Sequence, residues 1–442
     1  VGNALEKVYA QKIDEHLGEL AYHFLEGGDK EKAFDYFLKA GEKAQKVYAH
    51  NESFSYFQHA LELLKEKEDN LEAKARITEN LGDIKALVGE FDVCMKYWNE
   101  SLTLWSQLAN KKGISRVHVK MARIIWDSIG DKEKASEHHR MALEILEKEP
   151  ESVELASLYE DISHMLWRAG DSAKALSYAQ KAFELAEKIG NPEILAECYN
   201  DLGILSMHAG EIEKSVKYME QGLKIAVENN CTRAAPRLYN NVCIGYEYLG
   251  DLQKAFETRQ QGFELAKKAG DVHHISWIGM LLAWTYWNMG ETQKAFFMLE
   301  ELLALDRRTR NTVGIAQMLG SFGIHYQFSG EWEKSLRYLM EARDIIKNVE
   351  EYQASGAVAY WLGELFKEME DYVEAEKYLK ESNSIYEKAG DTHMQLTVIF
   401  PTLSKLYIKK GETEKAKELI ERTYEYATKA KDKVAIAHAE LV

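Results

Sequence analysis

Proline is almost missing: 442 residues contain four, so long stretches of chain are free of the residue that interrupts helices. Cysteine is equally scarce. Cys94, Cys198, Cys231 and Cys243 show neither CxxC nor zinc-finger spacing. That excludes a disulfide scaffold and reads as small apolar residues of a reducing, cytoplasmic compartment. No run approaches the roughly 18 apolar residues that span a bilayer, and the N-terminus lacks the basic-then-apolar layout of a signal peptide. Positive charge is in deficit: 56 Lys and Arg against 72 Asp and Glu leave a net −16, which argues against nucleic acid or an anionic membrane as partner. Also absent are a G-x-x-x-x-G-K-[ST] phosphate loop, HExxH and GxSxG, so no catalytic residue, cofactor or metal is assigned. The pairs His138-His139 and His273-His274 do not change this, because neighbouring helix residues diverge by about 100° and do not chelate one ion.

What is present is a repeat. Glycine stands at 130, 170, 210, 250, 290 and 330, an interval of 40, and each is followed by Asp or Glu. The register runs on to Glu370-Asp371, where Glu replaces the glycine, and to Gly411; upstream it reaches Gly89 and then Gly28, with room between those two for an extra helix over Asn51 to Lys67. Eight residues before the turn come Leu202, Val242, Leu282, Phe322 and Leu362; the next residue is small, as in Gly203, Cys243, Ala283, Gly323 and Gly363. Five after the turn stands Ala or Ser, as in Ala175, Ser215, Ala255, Ala295, Ser335 and Ala375. Small residues facing each other let two helices approach closely while Leu and aromatic neighbours fill the space beside them.

The pattern therefore predicts an all-α chain of about ten helix pairs and no strand. Pro401 falls inside a predicted first helix and should disturb it. Residues 1–70 read as junction helices with a first repeat-like unit, 71–432 as the array, and 433–442 as the start of a further helix. The opening Val-Gly and the cut-off last helix suggest an excised piece of a longer protein.

Tyr199, Leu202, Gly203, Gly210 and Ser215 resemble the tetratricopeptide repeat, whose consensus carries an aromatic, Leu-Gly and then Ala at these places. The resemblance implies a right-handed superhelix, an α-solenoid, with 40-residue repeats in place of about 34. Glu15 to Leu64, EHLGELAYHF through FQHALELL, is similar to the junction that begins the repeats in STAND-class signal-transduction ATPases of the MalT and ATPase-cyclase types. That resemblance implies a sensor and autoinhibitory region acting on an intramolecular ATPase module elsewhere in the full-length protein, the chain itself being no enzyme.

On the first helix of each pair, positions 13, 10, 6 and 3 before the turn share one face, and in tetratricopeptide arrays this face lines the concave groove. Here it holds Trp167; Asn200 and Met207; Arg237, Asn240 and Glu247; Trp277, Met280, Trp284 and Trp287; Gln317 and Gln327; and Tyr360. Three of nine tryptophans on one helix suit the floor of a groove for a peptide, protein or small-molecule inducer, with the amides bonding an extended ligand. The same rings would also pack against opposing turns of a tightly wound superhelix. A scaffold that docks proteins along its outer helices is the alternative to the sensor.

Overall fold

The computed structural model describes residues 1–65, 70–347, 349, 351–430 and 433–440. Among them helix follows helix without a strand, and no helix is long and apolar enough to cross a membrane. The chain divides into two compact units, Val1–Met121 with Lys268–Val272, and Ala122–Lys267 with His273–Val442. In the first, helices from Leu17–Glu26 to Phe91–Gln107 enclose Phe37, Phe57, Ile77 and Leu81. Its extra helix is His50–Leu63; Glu66 and Lys67, also expected there, lie outside the described residues.

In the second unit helix pairs succeed one another from Val153–Arg168 with Ser172–Ile189 to Phe400–Lys409 with Thr413–Ala430. The sequence explains each hairpin. The helix preceding the turn ends in a left-handed residue, and the acidic residue that follows starts the next helix. Asp131, Asp171 and Asp371 cap it by accepting from the backbone N–H three residues on, whereas the longer Glu211, Glu291 and Glu331 make no such bond. Gly290 and Gly330 take φ of 82° and 76°. Glu370 takes φ 62° in the same place, a conformation that costs a side-chain-bearing residue about 1–2 kcal/mol. Glu370→Gly should therefore stabilise the protein by up to about 1 kcal/mol after the entropy of glycine is subtracted; a lower urea midpoint for the variant would contradict this.

Close approach follows the small positions. A Cβ built on Gly203 would lie 2.6 Å from Met219 Cγ and 3.2 Å from the Ser215 carbonyl; on Gly363 it would lie 2.6 Å from Leu379 Cγ. Met219 and Leu379 both stand nine residues after the turn, so the second helix sends a knob from that position into the gap left by the small residue. His139 and Arg259 occupy the same position in their repeats. Both are buried, Arg259 with 1% exposure, and each takes a carboxylate: His139 Nε2 bonds Asp161 Oδ2 at 2.6 Å and Arg259 Nη1 donates to Glu247 Oε1 at 2.6 Å.

The helix holding Pro401 is not continuous. A five-residue π-helical stretch, Gln395–Ile399, precedes Phe400–Lys409 and places the proline in the first turn of the latter, where its missing N–H is tolerated. The closing helix is described as Lys433–Glu440, and Leu441 and Val442 lie outside the described residues.

Repeats far apart in sequence also touch within this unit. Ser172 Oγ donates to the Ala389 carbonyl at 3.0 Å across 217 residues. Arg168 Nε lies 3.7 Å from Glu351 Oε1, and the Trp167, His208 and Tyr352 rings form an edge-to-face series. One core cluster joins Ile204, Met219 and Val242 to Tyr352, Leu379 and Leu403.

Candidate functional site

The second unit holds a cavity of about 80 Å³, and two of the residues in these long-range contacts, Trp167 and Arg168, stand on its wall. That wall comes from two places. The C-terminal ends of two first helices contribute Asp127, His164, Trp167 and Arg168; the N-terminal ends of later ones contribute Arg233 and Arg237, His273 and Trp277, Val313 and Gln317, and Gln353. Arg123, Asn241, Asn311 and three further residues complete the wall. Four of the sequence-derived groove residues, Trp167, Arg237, Trp277 and Gln317, thus meet at one site.

The others are placed elsewhere. Asn200 and Asn240 are buried and linked through Asn241, whose Nδ2 donates to Asn200 Oδ1 at 2.7 Å and whose Oδ1 accepts from Asn240 Nδ2 at 3.4 Å. Met207 belongs to the core, and Met280 packs against the cluster of the later repeats. Glu247 is taken by Arg259. Trp284 and Trp287 enter a ring cluster: Trp284 meets Phe328 and Trp361 at 5.9 and 6.3 Å, and Trp287 meets His325 at 4.4 Å. Gln327 is buried, and the Tyr360 hydroxyl bonds Thr402 Oγ1 at 3.2 Å.

Arg233, His273 and Gln353 lie beyond the face predicted from the sequence, which begins 13 residues before each turn. Seventeen before the turn is one helical step further along the same face, and it holds Arg233, His273, Val313 and Gln353, all on the wall. Arg123, which stands seven before its turn, gives no such signal.

The charges form one network. Arg123 Nε donates to Asp161 Oδ1 at 2.5 Å and its Nη2 to Glu160 Oε2 at 3.1 Å; Arg168 Nη1 donates to Asp127 Oδ1 at 2.6 Å. Arg233 forks onto Glu197, with Nε 2.6 Å from Oε1. Arg237 Nη2 donates to His164 Nδ1 at 2.7 Å. A guanidinium only donates, so Nδ1 of His164 carries no proton and the ring is neutral. Burial first, and then the Arg237 charge, push its pKa down to about 4. Burial opposes ionisation of the carboxyls as well, but three are held below the usual range: Glu197 by Arg233, Arg123 and Arg237, Asp161 by Arg123 and His139, and Asp127 by His164 and Arg168. Burial wins for Glu160, Glu193 and Glu351, which are pushed up, and for Asp201, pushed up to about 7.

The Asp201 shift has a sign that can be tested. A carboxyl whose folded pKa lies above its unfolded value contributes stability that is complete below about pH 4 and is lost as pH rises through about 7. The three depressed carboxyls act in the opposite sense, but below about pH 4. His164, held at about 4, also acts in the opposite sense, up to about pH 6.5. The test is therefore a difference between two proteins: from pH 5 to 7 the stability of Asp201→Asn should change more favourably with rising pH than that of the parent, by up to about 1.4 kcal/mol per pH unit for one full proton. Identical pH profiles for the two proteins would place the proton elsewhere.

Among the described residues no three His, Cys, Asp or Glu side chains are grouped to hold a metal ion. A tetratricopeptide-repeat family model matches residues 154–226 and 314–388, and a second matches 280–309. The chain carries tetratricopeptide repeats. Comparison with curated proteins finds no match. Among solved structures, a Rap protein complexed with competence and sporulation factor is 15% identical, with 81% of this chain and 98% of that one covered at a TM-score of 0.60. The Rap conjugation gene regulator of the plasmid pLS20, in complex with the Phr* peptide, is 13% identical, with 83% and 97% covered at 0.51. A signal transduction ATPase with numerous domains and a tetratricopeptide repeat sensor, from Pyrococcus horikoshii, is 14% identical, with 92% and 74% covered at 0.45. At these identities the likeness is one of fold.

Proposed function

We propose that the chain is a ligand-sensing tetratricopeptide array and that its second unit captures an extended peptide at the cavity. The observation that carries this reading is Trp167. Its ring is 5% exposed, it stands on the cavity wall, and its indole N–H has no hydrogen-bond partner among the described residues. An unpaired buried donor costs about 1–3 kcal/mol, which a ligand acceptor would recover. A peptide backbone supplies such acceptors, and Asn241, Asn311, Gln317 and Gln353 on the same wall can pair with further peptide groups. The Rap regulator, of similar fold, is solved with a peptide, an analogy of fold alone.

In the finer reading, supported by the resemblance of Glu15 to Leu64, the array is the sensor and autoinhibitory region of a STAND-type ATPase. Ligand capture then releases the ATPase, which requires different affinities for its resting and active forms. A scaffold reading is favoured by Met289, Phe297, Phe328, Trp332 and Met369, apolar side chains exposed near successive turns.

The test is a randomised hexapeptide mixture passed over the immobilised full chain, with retained peptides identified by mass spectrometry. Retention that is lost in Trp167→Phe is the expected result. No retention, or equal retention by the variant, would end the cavity reading and leave the scaffold.

A further inference from the structure

Resting on the cavity-capture reading, we infer that this cavity is a site for an acidic group, a carboxylate or a phosphate, which the arginines of its wall and the Trp167 indole would hold together. The wall carries four guanidiniums, those of Arg123, Arg168, Arg233 and Arg237, and a single carboxylate, Asp127. The other acidic partners, Glu160, Asp161 and Glu197, are buried and form no part of the wall. They pair with Arg123, Arg233 and Arg237, which fixes these three guanidiniums in place before any ligand arrives and lowers the ordering cost of binding.

Burial disfavours the ionised forms of Glu160, Glu193 and Glu351 and pushes Asp201 up to about 7, so the carboxyls around these guanidiniums compensate them less fully than a count of acidic residues suggests.

Trp167 is independent of those charges. Its N–H is a donor only, so its partner has to be an acceptor, and a carboxylate or phosphate oxygen is a stronger one than a neutral carbonyl. Size limits the guest: about 80 Å³ holds about five waters, enough for one acidic side chain, a chain terminus or a phosphate. A peptide would therefore be read at one acidic residue, with its remaining length outside the cavity.

The experiment uses the full chain with ¹⁵N-labelled tryptophan. Its nine indole signals are recorded during titration with glutarate, inorganic phosphate and the neutral glutaramide, and the Trp167 signal is the one that disappears in Trp167→Phe. Glutarate or phosphate should shift that signal saturably, and glutaramide should not. The stronger of the two names the class of acid.

Arg233 is partly exposed, so Arg233→Gln should fold while weakening the shift about tenfold, as expected for loss of one charge-assisted contact. Circular dichroism of the variant confirms that it is folded. Equal binding of glutaramide, no saturable shift by either acid, or undiminished binding in the folded Arg233→Gln variant would overturn the assignment. Two hexapeptides that differ only by Glu or Gln separate this inference from the peptide reading. Equal retention of the pair overturns the acidic site and leaves peptide capture standing; a saturable glutarate shift without any retained peptide removes peptide capture and keeps the acidic site.

Discussion

Replacing Arg123 by leucine is expected to lower stability by about 3–5 kcal/mol, the range for removing one partner of a buried ion pair. Arg123 bonds Asp161 and Glu160 at once, and both carboxyls are buried. Without the guanidinium, Asp161 keeps only His139 as a bonded partner among the described residues. Glu160 loses its nearer cation and retains Arg237 at 3.4 Å. The leucine cannot compensate, because the penalty comes from the carboxyls left behind and not from the missing side chain. Urea denaturation is the measurement. The double replacement Arg123→Leu with Asp161→Leu should recover part of the loss by removing one stranded charge. A single-variant loss under about 1 kcal/mol would mean that water reaches these carboxyls.

Gly170→Val should cost about 3 kcal/mol or more, and Gly330→Val about half of that. Both glycines are left-handed, at φ 87° and 76°, so any side chain pays about 1–2 kcal/mol in backbone strain. They differ in what lies beyond. A Cβ on Gly330 meets nothing within 4 Å, whereas one on Gly170 would lie 2.7 Å from the Cα of Ala389. Backbone cannot turn aside as a side chain does, so valine at 170 must part the two repeats, at a further cost of about 1–3 kcal/mol. Parting them should also open the wall beside Trp167 and Arg168, and acrylamide quenching of tryptophan fluorescence should rise in Gly170→Val alone. Equal melting temperatures for the two variants would mean that the contact with Ala389 adds nothing to stability.

The repeat was legible because its cause is local. The close approach at Gly203 and the left-handed turn at Gly290 each depend on residues within one hairpin, and a 40-residue period exposes them. Even Glu370, which breaks the glycine pattern, was readable as a turn because its neighbours keep the register. What the period cannot carry is any contact made between distant repeats. Gly170 reads as one more turn, with nothing in its surroundings to announce Ala389.

The tryptophans show the same limit in the site. Helical periodicity puts Trp277, Trp284 and Trp287 on one face, yet Trp277 reaches the cavity while Trp284 and Trp287 lie among Phe328, Trp361 and His325. Which rings a face meets depends on how tightly the array winds, a quantity summed over many small helix-packing angles. Arg259 and His139 were hidden for another reason. They occupy a position that the other repeats give to Met219, Leu299, Leu339 or Leu379, and the partners Glu247 and Asp161 make a polar group tolerable there.

The bond from Ser172 to the Ala389 carbonyl also fixes a number. Where each repeat touches only its neighbours, an array can gain or lose a unit during evolution at the cost of one interface. Here, inserting a single hairpin anywhere between Ser172 and Glu351 would carry both later partners one unit along the axis, so that Ser172 would lose Ala389 and Arg168 would no longer face Glu351. Duplication and deletion, the usual routes by which such proteins change length, are therefore closed across this span. The close packing of Gly130 against Val349 and of Gly210 against Tyr426 closes the repeats on either side in the same way.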